Sequence, residues 1–201
     1  MKRKTSKVLL VVLAVGLVAG VATARRQGLW TLDLKHKGFM SILVDSPAGP
    51  VAYYYISYRA TNTTGEERTI APQGKIVTET GQTLYAAPAP KAAYAICKRH
   101  NRAMLDINQM AAETIPDGES RWGLYIFTGL DDKADRLDVY LYGLSNAYKY
   151  TDEDNRTGLL RKVYKMTLAR PGDADNRHLD KVKVVDEGWV WIPPDVKTGE
   201  E

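Results

Sequence analysis

Few side chains in this 201-residue chain combine the type and spacing that catalysis needs. Gly143-Leu144-Ser145-Asn146-Ala147 comes near the Gly-x-Ser-x-Gly turn that presents a serine nucleophile. That turn works where a helix follows a parallel strand at once, so that the hydroxyl stands clear of the sheet. Here the polar, acidic stretch Tyr148–Asn155 follows instead, and Gly-Leu-Ser-Asn is more simply a turn. Cys97 and His100 lie three residues apart, a spacing that puts thiol and imidazole on one helical face as nucleophile and base. No third group that would orient the base is identifiable, and a lone thiol commonly serves as a small apolar core group. A small hydrolase using Ser145 or Cys97 is the least favoured function, and no catalytic residue is assigned.

Metal chemistry has little more to build on. His36 and His178 stand in polar surroundings without a second histidine at metal-ligand spacing, whereas zinc needs three or four convergent ligands; both are expected at the surface. Acids gather at Asp131-Asp132 with Asp135, at Asp152-Glu153-Asp154, and at Asp173 with Asp175. Calcium asks for about six to eight oxygens from one shaped loop or several meeting loops. None of the three has the calcium-loop pattern, so solvated turns are expected, with no metal and no cofactor.

The aromatic residues offer a binding chemistry. Trp189 and Trp191 alternate with Val190 and Ile192, and Tyr140 and Tyr142 alternate with Val139 and Leu141. In a strand such alternation puts rings on one face and aliphatics on the other. With the aliphatics in the core, Trp189, Trp191, Tyr140 and Tyr142 would form an exposed row able to stack sugar rings or dock a partner. The opposing expectation is that the tryptophans pack inward or lie beneath Pro193-Pro194.

The elements that must position these residues are short strands. Apolar or alternating segments run over Phe39–Val44, Val51–Thr61, Lys75–Glu79, Thr83–Ala86, Arg121–Thr128, Leu137–Tyr142, Leu159–Leu168 and Val182–Ile192, with turn residues between. Leu29–Leu34 is a further candidate edge strand. This pattern predicts an all-β antiparallel sandwich. One segment departs from it: Lys91–His100 favours a helix, with Ala93, Ile96, His100, Ala103, Ile107 and Met110 at helical spacing. That helical insertion is expected to plug one end of the sandwich or cover an edge.

Two stretches carry a resemblance. Tyr55–Gly65 is a strand ending in Asn62 and a polar turn, and Ile115–Phe127 contains Pro116-Asp117-Gly118-Glu119, then Gly123 and Phe127. Together they resemble the strand–Asn–turn and Pro-Gly-Glu-x-x-x-Gly-x-x-x-Phe pattern of uncharacterised bacterial exported proteins with an immunoglobulin-like β-sandwich domain. Asp117 interrupts the Pro-Gly-Glu run, a departure from that pattern. The resemblance implies the fold class, with the Pro-Gly-Glu turn launching a central strand and Gly123 admitting close approach of the opposite sheet. It brings no catalytic residue.

Charge and the N-terminus bound the function. Lys2-Arg3-Lys4 and Lys7 precede the apolar run Val8–Ala22, which ends in Ala22-Thr23-Ala24. Basic start, apolar centre and small-residue site are the parts of a secretory signal, so residues 1–24 are expected to be cleaved or, with Arg25-Arg26 following, kept as an anchor. No cysteine stands directly after the run, so a lipoprotein anchor is not expected. Residues 25–196 would form one domain and 197–201 a frayed tail. The whole chain has 28 Lys and Arg against 24 Asp and Glu, and four of the bases lie in the first 24 residues, which hold no acid. The remainder is formally neutral, against a nucleic-acid role. Export also argues against ATP- or NAD-dependent chemistry. The reading is an exported, non-enzymatic cell-envelope binding or structural module in the periplasm or outside the cell. Its partner would be an envelope protein or polysaccharide, with membrane contact only through an uncleaved leader; a carbohydrate-binding module is the alternative.

Overall fold

A computed structural model describes residues 28–88, 91, 94–95, 103–153, 156–171 and 182–194. The expected leader, Cys97, His100, His178 and the acidic cluster at 173–175 lie outside these residues, as do the side chains of Asp152, Glu153 and Asp154. The described chain is mostly β and its sheets are antiparallel.

The strands in chain order are β1 (Asp33–Val44), β2 (Val51–Thr61), β3 (Arg68–Thr69), β4 (Gln73–Thr78), β5 (Thr83–Tyr85), β6 (Thr114–Ile115), β7 (Ser120–Thr128), β8 (Arg136–Tyr142), β9 (Tyr148–Glu153), β10 (Arg156–Ala169) and β11 (Lys183–Ile192). A smaller sheet runs β1-β2-β7 and a larger one β11-β10-β8-β4-β5, with β9 paired to the first half of β10. The short strands β3 and β6 pair separately. The two large sheets share one core. Tyr54, Ile56 and Tyr58 of β2 and Tyr125 and Phe127 of β7 meet Ile76, Val139, Leu141, Met166 and Leu168 of the larger sheet. Strand alternation puts these residues on one face, and burying them supplies the main driving force for folding.

Both stretches of the resemblance meet at one point. Asn62 is fully buried, and its amide nitrogen donates to the carbonyls of Glu66 (2.7 Å) and Ile115 (2.8 Å). Its amide oxygen accepts from the backbone N–H and the hydroxyl of Thr64 (3.1 and 2.8 Å). The Asn62 carbonyl accepts from Gly118 N–H (2.7 Å), which ties the strand end to the Pro116–Glu119 turn. Gly123 does admit a close approach, but from within its own sheet. It lies directly opposite Tyr58 of β2, and a Cβ there would sit about 2.5 Å from the Tyr58 hydroxyl. The vacant side chain lets Tyr58 lie flat on Tyr125, with ring centroids 4.7 Å apart.

The insertion does more than close an edge. Lys91, Tyr94 and Ala95 are helical, and the remainder of 91–100 lies outside the described residues apart from these three. The predicted stripe does not run on as one helix: Ala103 is in a turn and Leu105 in a bridge before a separate helix, α1 (Ile107–Ala112). Asp106 starts it, because its carboxylate accepts from the backbone of Asn108 and Gln109 while the Gln109 side chain accepts from Asp106 N–H. This capping box satisfies amides that a helix start leaves unpaired. Leu105 pairs with the free edge of β7, its N–H donating to Trp122 and its carbonyl accepting from Leu124. Tyr94 and Met104 cover the outer face of the smaller sheet against Tyr55, Leu124 and Ile126. The middle of that sheet, on β2 and β7, is therefore buried on both faces, while most of β1 stays exposed or half-buried.

Candidate functional site

The larger sheet keeps its outer face toward solvent, and the tyrosines stand there. In β8, Leu137, Val139 and Leu141 enter the core, so Tyr140 and Tyr142 point outward, as the alternation predicts. Strand register sets their neighbours. Lys75 of β4 pairs with Tyr140 on one side and with Tyr85 of β5 on the other, and Lys165 of β10 pairs with Tyr140 from the far side. Directly paired residues share a face, so one row across four strands reads Tyr85, Lys75, Tyr140, Lys165. Tyr85 is 63% exposed. The Lys165 ammonium lies 5.6 Å from the Tyr140 ring centre and pairs with Asp138 at 2.9 Å.

A second run of rings follows the chain. Tyr142, 6.4 Å from Tyr140 by ring centres, is nearly covered, with the Arg161 guanidinium 4.7 Å above its ring. Arg161 pairs in register with Tyr148, and Leu159 pairs with Tyr150. Tyr148 and Tyr150 are 50% and 69% exposed, and their rings meet edge-on at 6.2 Å. A groove of ≈ 360 Å³ lies on this face, lined by Lys75, Val77, Tyr140, Tyr142, Ile192, Pro193 and Pro194.

Trp189 and Trp191 do not join this row. Trp189 pairs with Tyr164, a core residue, and packs edge-on against its ring at 5.5 Å. Trp191, two residues on, shares that side and carries Lys149 5.1 Å over its ring. The tryptophans thus turn to the core side of the sheet, while Val190 and Ile192 turn outward. Of the two phases that the alternation in β11 allows, the structure takes the one with the tryptophans toward the core side, Trp189 packed against the core and Trp191 still 37% exposed. The strand lies at the sheet's edge, where a large ring covers core side chains that no further strand covers. Of the four predicted residues, the structure brings together Tyr140 and Tyr142. Tyr142 supports Arg161 from beneath.

Tyr85, Tyr148 and Tyr150 were missed by sequence reasoning. Tyr148-Lys149-Tyr150 repeats the ring alternation of Tyr140-Leu141-Tyr142, but it lies in a polar stretch that lacks the aliphatic partners by which a strand is recognised.

Ser145 is held in a structural knot. Its hydroxyl donates to the Trp30 carbonyl (2.7 Å), lies 2.9 Å from the Thr31 hydroxyl and accepts from Ala147 N–H (3.0 Å). Gly143 just before it has φ +78°, and a Cβ there would collide with the Ala71 carbonyl. The turn pins residues 30–32 beside the larger sheet, through Leu144 and Asn146 as well. His36 is not a surface group: its side chain is 9% exposed, and Nε2 lies 2.8 Å from Glu187 Oε2, joining edge strand β1 to edge strand β11. Its Nδ1 accepts from Gly38 N–H (3.0 Å). In the loop at 131–135, Asp131 accepts from Lys133 N–H and the Thr80 hydroxyl, which holds its carboxyl below the usual range. Among the described residues no three His, Cys, Asp or Glu side chains gather as metal ligands, and no helix is long and apolar enough to cross a membrane.

Comparison with protein families, curated proteins and solved structures finds no match to this chain.

Proposed function

We propose that this chain is an exported, non-enzymatic binding module of the cell envelope, built as an immunoglobulin-like β-sandwich, whose outer tyrosine face takes a polysaccharide. The strand order supports the fold assignment. β1-β2-β7 against β5-β4-β8-β10 follows the immunoglobulin arrangement A-B-E against C′-C-F-G, with β11 added beyond the last strand. Export rests on the basic start, the apolar run Val8–Ala22 and the Ala22-Thr23-Ala24 site.

The observation that carries the binding function is the set of tyrosine rings on the solvent side of the larger sheet, with Tyr85, Tyr148 and Tyr150 at least half exposed. Flat rings fixed on a rigid sheet present apolar faces and a polar hydroxyl edge, which suits the faces and hydroxyls of sugars. Electrophoresis of the full chain through gels containing dissolved polysaccharides tests this. A binding polymer retards the protein, and Tyr140→Ala combined with Tyr150→Ala removes the retardation. At about 1 kcal/mol per ring, two rings amount to a roughly 20- to 30-fold loss of affinity. Unchanged migration of the double variant in a gel that retards the parent refutes the assignment of this face.

A further inference from the structure

The groove on the tyrosine face is walled on one side by the chain that leaves β11. Ile192 pairs with Arg161 of β10, and β10 lies between β11 and β8. Yet Ile192, Pro193 and Pro194 line the same groove of ≈ 360 Å³ as Tyr140 and Tyr142 of β8 and Lys75 and Val77 of β4. After β11 the chain therefore turns in over the outer face of the larger sheet, toward β8 and β4. The prolines enforce this departure. Pro193 has no N–H with which to continue the ladder to β10. The residue before a proline is held extended, so the exit from β11 is short and stiff. The floor of the groove is suited to being covered. Ile76 enters the core, so Val77 faces outward beside it, and Val77, Tyr140 and Ile192 are all half-buried.

Residues 195–201 lie outside the described residues, and the residue to which they are joined, Pro194, is itself a wall of the groove. We propose that this segment is the groove's occupant, a strap that continues from Pro194 over Tyr140 toward β4 and β5. Three arguments carry it. A segment tethered at its site meets it at an effective concentration in the millimolar range, and loses none of the translational freedom that a separate molecule gives up. Seven residues span about 23–25 Å when extended, whereas β5 lies two strand spacings from β8, about 10 Å. Val196, the one aliphatic side chain of the segment, comes two residues after Pro194, within reach of Val77 and Tyr140. The docking asks nothing of the Lys75 charge, which has a partner of its own, and it does not depend on the polysaccharide reading. Its consequence for ligand does rest on that reading: the strap closes the Tyr140 end of the face, leaves Tyr148 and Tyr150 open, and must be displaced by a polymer that crosses Tyr140.

The test compares the full chain with a chain ending at Pro194 and with one whose residues 195–201 are replaced by an equal length of Gly and Ser. Thermal unfolding confirms that each is folded. Nitration by tetranitromethane, read residue by residue by mass spectrometry, reports the exposure of each tyrosine without any ligand. Tyr140 should react at least about fivefold faster in both altered chains, the protection given by a strap docked in roughly four molecules of five. Tyr148 and Tyr150 should react at the same rate in all three, and Val196→Ser should give an intermediate rate at Tyr140. Equal rates at Tyr140 in the three chains overturn the proposal. So does a rise at all three tyrosines together with a lower melting temperature, which makes the segment a general stabiliser of the fold. Protection of Tyr140 that grows with protein concentration assigns the groove to a second copy and also overturns it. In gels holding a polysaccharide that retards the protein, the chain ending at Pro194 should be retarded more than the full chain. Equal retardation, with Tyr140 released, overturns the competition and leaves the docking standing. No retardation of either chain by any polysaccharide overturns the polysaccharide reading alone.

Discussion

Replacing Asn62 by alanine should be among the most damaging single changes in the described domain. The side chain is fully buried and makes four hydrogen bonds that join two separate pieces of chain: the turn holding Thr64 and the Glu66 carbonyl, and the Ile115 carbonyl of β6. Thr64 and Glu66 lie nearer solvent and can recover water, so their lost bonds cost about 1 kcal/mol or less each. Ile115 is 0% exposed, and its carbonyl left without a donor costs about 1–3 kcal/mol. The sum is about 3–5 kcal/mol, a large part of the roughly 5–15 kcal/mol that stabilises an ordinary domain. Equilibrium unfolding in urea, followed by tryptophan fluorescence, reads this as a fall in midpoint at constant slope. Asn62→Asp supplies a second, sharper outcome. It keeps the acceptor but faces two carbonyl oxygens with a carboxylate, which raises the folded-state pKa of the new acid. Its deficit should therefore be largest near neutral pH and shrink as pH falls through that raised value. An Asn62→Ala midpoint corresponding to less than about 1 kcal/mol would refute the view that this residue locks the two turns together.

Two further outcomes follow from the packing and the charges. Gly123→Ala should destabilise by about 1–3 kcal/mol through the collision with Tyr58, and Tyr58→Leu in the same chain should cost less than the two changes summed; strict additivity in urea melts would show that the two sites do not touch. Asp138 feels burial that raises its pKa, but hydrogen bonds from Thr167 and Lys165 and the charges of Lys165 and Arg136 outweigh it, so the carboxyl titrates below its usual value of 3.8. A depressed carboxyl contributes stability above the unfolded pKa and loses it as pH falls through the lower, folded value. Asp138→Asn should thus lower the melting temperature at neutral pH and converge on the parent below about pH 4; a constant offset across that range would contradict the assignment.

The strands were legible because most have one aliphatic face. Val51–Thr61 matches β2 residue for residue, and the β4–β5 hairpin and β7, β8, β10 and β11 fall within three residues of their predicted ends. Two kinds of information were not readable locally. One is phase: Trp189-Val190-Trp191-Ile192 alternates equally well in either orientation, and the choice is made by Tyr164 on the paired strand. The other is register between distant segments. The row Tyr85, Lys75, Tyr140, Lys165 draws one residue from each of four strands, and no spacing in the chain announces it. His36 shows the same limit, since its partner Glu187 is 151 residues away.

The outer faces of the two sheets differ in what covers them. Met104, Tyr94 and the β7-edge pairing of Leu105 cover the smaller sheet's outer side, so Tyr53, Tyr55, Leu124 and Ile126 have a structural role. On the larger sheet nothing of comparable size among the described residues covers Tyr85, Tyr148 and Tyr150, which stay at least half exposed. A solvent face whose only task is to be wet is well served by Thr, Lys and Glu, because an exposed ring forfeits the free energy its burial would release. Here the rings recur in β5, β8 and β9, and cations lie over Tyr140 and Tyr142 rather than over aliphatic neighbours. Sheet geometry holds each ring at a fixed position before any ligand arrives, so little ordering entropy remains to oppose binding. A flat, pre-ordered and partly charged aromatic surface is costly as mere covering and well matched to a stiff polymer, which is why the ligand is sought on this face and not in the Ser145 turn.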